Sequence, residues 1–289
     1  MRRPTSPIQK TALPELAPYG ILSPAVEFIR DNRETWLDGY TYETPDARIA
    51  VAVGDMVYFD SANPNWIVEN PEQDVYREVK PYNVRIEMVA STFAMDYDSL
   101  EDTVKSLLDP AVQKAVESEF WNGVIASTIT DTDRDGNTYT VNRWLDDGSA
   151  VVATLPGATG PLKPKIGLAL IEQALAESTV GARGTIHMPR ALASIIGLDN
   201  DEKTLYTNLL TPVVAGTGYQ LDAGASTAWI FGTGPVTVRQ GKPVIQADES
   251  GALDRATNTY RIVLNVPVAV TWSTSELQAV QVDLSLENN

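Results

Sequence analysis

The stretch YDSLEDTVKSLLDPAVQKAVESEFWNG, Tyr97–Gly123, decides the fold. Its apolar residues fall at Leu100, Val104, Leu107, Leu108, Ala111, Val112, Ala115, Val116 and Phe120. Spacings of three, four and seven mark one face of an α-helix, kept for about six turns. At about 1.5 Å per residue the helix is roughly 35 Å long, more than the core of a small domain needs. Asp96, Asp98, Glu101 and Asp102 crowd its start, where the positive end of the helix dipole favours acids. Asn122-Gly123 reads as a left-handed stop. Pro110 either bends one helix or opens a second with Asp109 as its cap. The stripe keeps its phase across it through Leu107, Leu108, Ala111 and Val112, so one bent helix is expected. Such a helix early in a β-rich chain predicts a spine on which strands are hung.

On the N-terminal side, Asn83–Phe93 alternates Val84, Ile86 and Met88 on one face, a strand feeding into the spine. Before it, Arg48–Val53, Asp55–Asp60 and Val75–Val79 are β-prone runs around turn-rich text (Asn63-Pro-Asn-Trp66, Glu69-Asn-Pro71). They predict a hairpin that projects from its domain, with its partner surface on another chain, since an isolated hairpin is marginal in water. Residues 1–36 hold five prolines and isolated apolar groups, the pattern of an extended arm. Within it, Pro24–Arg30 reads as a short helix capped by Ser23.

On the C-terminal side, Val124–Trp144 predicts a hairpin and 147–164 a Gly/Pro-rich connector. Lys165–Ser178 predicts a second amphipathic helix, Gly184–Pro189 a buried strand and Arg190–Leu198 a third helix, together an α+β core. Five β-prone runs follow: Trp229–Gly232, Pro235–Arg239, Thr259–Asn265, Val268–Trp272 and Ala279–Leu284. Pro267 and Glu249–Leu253 are turn-like interruptions, and this last third is expected to form a sheet.

With 289 residues, the chain can bury a sizeable core. It has no cysteine, which excludes disulfides, thiolate metal sites and a thiol nucleophile. No apolar run is long enough for a membrane span, and MRRPTSPIQK lacks the apolar segment of a signal peptide, which points to synthesis and folding in the cytoplasm. A net charge of −16 repels phosphate and argues against sequence-specific nucleic-acid binding. Arg2, Arg3 and Lys10 form a small basic N-terminus, read as a solvated arm.

Chemistry-bearing motifs are sparse. Asp131-Thr-Asp-Arg-Asp-Gly136 opens like a calcium loop, with carboxylates at Asp131, Asp133 and Asp135. The twelfth position, however, is Asn142 where a bidentate Glu belongs, and Asp-Gly between β-prone runs is also a hairpin turn. A structural turn and a bound cation both remain open. His187 is the only histidine, in an apolar strand, and reads as a satisfied core side chain. One histidine without cysteine supports neither a Cys–His pair nor a two-histidine zinc site, and no G-x-S-x-G elbow occurs. Ala215–Tyr219 and Phe231–Pro235 contain G-x-G but complete no phosphate-binding loop, and read as tight turns. Neither a catalytic residue nor a cofactor or metal site is assigned, and no enzyme is expected.

The order of parts, together with five pieces of text, carries a resemblance. The texts are Ala115-Val-Glu-Ser-Glu-Phe-Trp-Asn-Gly123, Gly184-Thr-Ile-His-Met-Pro189, Thr211-Pro-Val-Val-Ala-Gly-Thr-Gly-Tyr219, Ala228-Trp-Ile-Phe-Gly-Thr-Gly-Pro-Val236 and Ala279-Val-Gln-Val-Asp-Leu284. Over essentially its whole length the chain resembles the major capsid protein of tailed double-stranded-DNA bacteriophages, of Hong Kong 97-type fold, and those of actinobacterial phages in particular. The resemblance implies an α+β fold with an N-terminal arm (1–40), an extended β-hairpin loop (41–82), a peripheral domain (83–125 and 245–289) with spine helix 97–123, and an axial domain (126–244).

It also implies self-assembly into hexamers and pentamers of an icosahedral virion shell, assembled in the host bacterial cytoplasm. That shell would enclose double-stranded DNA without sequence-specific binding and without a membrane, with portal, scaffolding and cementing proteins as further partners. Some members carry a scaffolding region ahead of the arm; here Met1 lies directly on the arm, so scaffolding is expected to be separate or absent. Others cross-link by a Lys–Asn isopeptide bond, but loop 41–82 offers only Arg48, Arg77 and Lys80, none near its tip, so no such bond is expected. An encapsulin-like compartment holding an enzyme cargo is the alternative with the same fold.

Overall fold

The computed structural model describes residues 19–44, 75–91, 97–132, 135–178, 184–201, 203–219, 221, 225–246, 253–254, 259–272 and 277–285. In chain order the elements are β1 (Glu27–Arg30), β2 (Tyr40–Thr44), β3 (Val75–Val79), β4 (Tyr82–Ser91), α1 (Tyr97–Asn122), β5 (Thr130–Thr132), β6 (Thr138–Thr140) and β7 (Val151–Val152). There follow α2 (Pro164–Ser178), β8 (Thr185–Pro189), α3 (Arg190–Ile196), β9 (Asp199–Asp201), β10 (Thr204–Tyr206), β11 (Pro212–Gly216) and β12 (Thr227–Thr233). The chain closes with β13 (Val236–Gln240), β14 (Val244–Gln246), β15 (Leu253–Asp254), β16 (Thr259–Trp272) and β17 (Gln278–Asp283).

The spine forms as one helix of 26 residues, unbroken through Pro110. Gly123 ends it at φ 63°, its amide bonded to the Glu119 carbonyl at 2.8 Å. Val112, Val116 and Phe120, on the stripe legible in the sequence, and Trp121 beside it are buried in one core with Val84 of β4, Val236 and Val238 of β13, and Leu264, Val266 and Val268 of β16. These strands belong to a six-stranded sheet in the order β1-β13-β16-β14, with β4 and β15 also paired to β16.

The second sheet has seven strands in the order β7-β17-β12-β8-β11-β10-β9. Its central strands are buried on both faces, and the alternation of their side chains sorts them between two cores. Ile186, Met188, Val213, Ala215, Ile230, Val280 and Val282 meet Leu168, Ile171 and Leu175 of α2 and Leu192 of α3. Their neighbours Val214, Phe231 and Ala279 turn the other way and join the core of the spine. The C-terminal end of α1 thus packs on both sheets.

Three expectations need correction. Pro24–Arg30 is not a helix: residues 21–26 are turns, and Glu27–Arg30 pairs in parallel with Thr237–Gln240. The β-prone Phe28 and Ile29 gain a strand partner that no local pattern reveals. Thr259–Asn265 and Val268–Trp272 are one strand, β16, which runs through Pro267. Along its other side β16 pairs with β4 over ten residues, while β13 covers 268–272 and β14 covers 263–265. The Pro267 carbonyl accepts from Gly241 N at 2.8 Å, so the missing N–H faces the gap between β13 and β14 and costs no ladder bond. Finally, the C-terminal strands divide between the two sheets: β13 to β16 lie in the first, β12 and β17 in the second.

β7, inside the expected connector, and β9, β10, β11 and β14 are strands that the sequence did not place. Residues 215–216 and 231–233, read as tight turns, lie in β11 and β12. Several other elements fall where the sequence places them. β5 and β6 form the small hairpin, α2 and α3 the two further helices, and β8 the buried strand before α3. β2 and β3 pair antiparallel from Tyr40↔Val79 to Thr44↔Val75, the base of a hairpin. Its β-prone runs Arg48–Val53 and Asp55–Asp60 lie outside the described residues, as do Arg2, Arg3 and Lys10.

Candidate assembly surfaces

The hairpin base is fixed by a compact polar and aromatic node. Trp36 and Val79 are buried with Ala269 of β16, and Tyr40 packs against them. The Arg239 guanidinium lies 4.7 Å from the Tyr40 ring centroid and 5.9 Å from that of Trp36. Asp31 holds that guanidinium at 2.7 Å and Arg33 at 2.7 Å; the Arg33 hydrogen bonds keep its carboxyl well below the usual carboxylate range. Just beyond β3, Lys80 N donates to Asn142 Oδ1 at 2.9 Å while Asn142 Nδ2 donates to Lys80 O at 2.7 Å. One side-chain amide therefore serves as a strand partner for one residue and ties the end of β3 to the segment after β6.

The same contacts involve two residues of the Asp131–Asn142 stretch. Asn142, the misfit at the twelfth position, is used to bracket Lys80. Asp131 is bonded to Lys80 Nζ at 2.7 Å, which lowers the carboxyl and raises the ammonium. Asp133 lies outside the described residues, and among those described no group of three or more acids or histidines could hold a metal.

Inside, the spine presents a polar centre that its hydrophobic pattern hides. Glu117 is fully buried. Its Oε1 accepts from Ile21 N and Gln113 Nε2, each at 3.0 Å, and its Oε2 accepts from Gly218 N at 2.8 Å and Thr217 Oγ1 at 3.3 Å. One carboxyl thus joins the N-terminal segment, the spine and the turn after β11. Gly218 is required there, because a Cβ would stand 2.3 Å from the Lys114 carbonyl oxygen. The amide that a phosphate would need in this G-x-G turn is taken by Glu117. The Gln113–Glu117–Trp121 row, four apart beside the apolar stripe, was the signal available in the sequence.

His187 occupies the face of β8 turned toward the spine, its ring edge-on to Phe120 at 5.3 Å. Nδ1 lies 3.0 Å from Tyr219 Oη and Nε2 3.0 Å from Thr233 Oγ1, so both nitrogens are satisfied. Burial pulls its pKa down to about 3, which keeps it neutral. It is the core histidine expected from its strand. Phe231–Pro235 forms the end of β12 and the turn into β13. Among the described residues, no helix is long and apolar enough to cross a membrane.

No family model and no curated protein matches the sequence. Solved structures do match the fold. The capsid of an empty GTA particle aligns over 98% of this chain and 95% of its own, at a TM-score of 0.54 and 11% identity. A chain from Gordonia phage Cozz aligns over 95% and 90%, at 0.51 and 12%. One from Mycobacterium phage Adephagia aligns over 93% and 91%, at 0.50 and 12%. An encapsulin from Synechococcus elongatus gives 0.49 and 12%, over 96% and 92%. The chain therefore has the Hong Kong 97-type fold, a mixed α+β fold of shell proteins. Within that fold it aligns with the capsid of an empty GTA particle and with chains from a Gordonia and a Mycobacterium phage.

Proposed function

We propose that this chain is the major capsid protein of a tailed bacteriophage, forming hexamers and pentamers that close an icosahedral shell around a double-stranded DNA genome. The observation that carries this reading is the correspondence of fold along 98% of the chain with a particle capsid, extended by matches to chains of two actinobacterial phages. The reading assigns 1–40 to an arm, 41–82 to an extended loop whose base is β2 and β3, and 83–125 with most of 245–289 to a peripheral domain around α1. The axial domain is 126–244; the pairing of β17 with β12 supports adding 277–285 to it. Repeated heterologous contacts around closed rings would bury apolar surface that a single copy exposes.

An interior with net negative charge would hold packaged DNA without adsorbing it. Portal, scaffolding and cementing proteins are the further partners, and assembly takes place in the host cytoplasm. No Lys–Asn cross-link is part of the proposal: Lys80, the loop's one lysine, is engaged by Asp131 at 2.7 Å. Electron microscopy of the purified protein tests the reading. Closed shells with packaged double-stranded DNA and one tail vertex are expected from infected cells. Shells filled with a protein cargo would replace it with an encapsulin-like compartment, and a monodisperse monomer at high concentration would contradict both.

A further inference from the structure

The two edges of the seven-stranded sheet carry unlike surfaces. One edge lies along β17. Val151 N and Ala153 N donate to the carbonyls of Leu277 and Ala279, and Leu162 N donates to that of Gln281, so 151–153 and 162 form one border. Val151 is 59% exposed and Val152 52%, with Leu155 and Ile166 also open to solvent. Lys163 and Lys165 stand beside them, exposed and without an ion-pair partner among the described residues. Residues 148–171 contain those two lysines and no acid, a basic island in a chain of net charge −16.

The opposite edge is β9, with the β10–β11 turn next to it. Asp199 and Asp201 are exposed, and 199–203 hold three acids against Lys203. In the turn Leu209 is 75% and Leu210 65% exposed. Leu210 has φ 65°, a backbone state that side chains other than Gly, Asn and Asp seldom adopt. Thr207 holds it there: Oγ1 accepts from Leu209 N and Thr211 N at 3.2 Å each and donates to Glu172, and its carbonyl accepts from Leu210 N at 2.9 Å. A strained, bonded turn that points two leucines at water is built for contact.

We infer that the β7 edge of one copy docks on the β9 edge and Leu209–Leu210 turn of the next, lysines facing acids. Each edge supplies apolar side chains ringed by charge, of opposite sign. Seven strands at about 4.8 Å set the edges roughly 29 Å apart, so they cannot meet within one chain. Two different complementary patches on opposite sides make a heterologous, head-to-tail contact, the kind that closes rings. The inference rests on the shell reading and deepens it, naming which surfaces join neighbours in a ring.

Three full-length variants test it, followed by sedimentation and negative-stain microscopy. Lys163→Glu with Lys165→Glu makes both edges acidic, and Asp199→Lys with Asp201→Lys makes both basic. Each alone is expected to lose assembled material by about tenfold or more. An equal mixture of the two is expected to recover six-membered rings, in which the two variants alternate, whereas five-membered rings keep one unmatched contact. Leu210→Gly, which removes the strain and the side chain together, is expected to stay folded and assemble less. Wild-type shells alongside variants that assemble as well as wild type would overturn this contact and leave the shell reading standing, as would a mixture that forms no six-membered rings. A wild-type chain that forms no assemblies at all would overturn both.

Discussion

Glu117 shows how one residue can join parts of a fold that are distant in sequence. It bonds backbone at Ile21 and Gly218, 96 and 101 positions away, from inside a helix whose neighbours are apolar. Glu117→Ala removes the acceptor for two buried N–H groups, and leaving such donors unpaired costs about 1–3 kcal/mol each. A loss of about 3 kcal/mol or more in urea unfolding of the dissociated subunit is expected; a loss below about 1 kcal/mol would show that water replaces the carboxyl. His187 supplies a pH dependence. Its folded pKa of about 3 lies below the ordinary 6.5, so the unfolded chain takes up the proton first as pH falls. The stabilising term is full above pH 6.5 and is lost progressively toward pH 3. Between pH 6.5 and 4.5 that is on the order of 2–3 kcal/mol. A His187→Gln variant should lose less stability than wild type over that interval; parallel curves would contradict the burial account.

At the scale of elements, α1 was legible because three independent signals agree on it: the stripe, the acidic start and the Asn-Gly stop. The stop depends on more than backbone freedom. A Cβ on Gly123 would stand 2.0 Å from Trp144 Cδ2, so Gly123→Ala combines a left-handed alanine with a clash. About 2–3 kcal/mol of destabilisation is expected by thermal melting, against about 1 kcal/mol for the backbone alone. The elements that were misread are those decided by partners remote in sequence. β1 becomes a strand because β13 lies beside it, and Pro267 is tolerated because β13 ends and β14 begins opposite its nitrogen. Pro267→Ala is accordingly expected to change stability by no more than about 1 kcal/mol, since no ladder bond is restored; a shift above about 3 kcal/mol would contradict that geometry. Glu117, like β1, takes its role from partners remote in sequence: the Ile21 and Gly218 amides it binds lie 96 and 101 positions away.

For the whole molecule, a hairpin base fixed by Asp31, Arg239 and Asn142, a spine shared between two sheets, and unlike edges on the second sheet describe a part shaped for repetition. The fold was legible in element order and in short pieces of text. The surfaces that would join copies were not, because Val151 of β7 and Asp199 of β9 come to lie on opposite borders only once seven strands are laid in order. Covalent joining is not expected. Purified particles boiled in denaturant should run as one band near 31.4 kDa, whereas a ladder would reveal a cross-link. The central claim, that this chain builds a closed shell, is tested most directly by cryo-electron microscopy of the purified full-length protein. Closed icosahedral shells of five- and six-membered rings are the predicted result. Particles that stay monomeric at high concentration would contradict it.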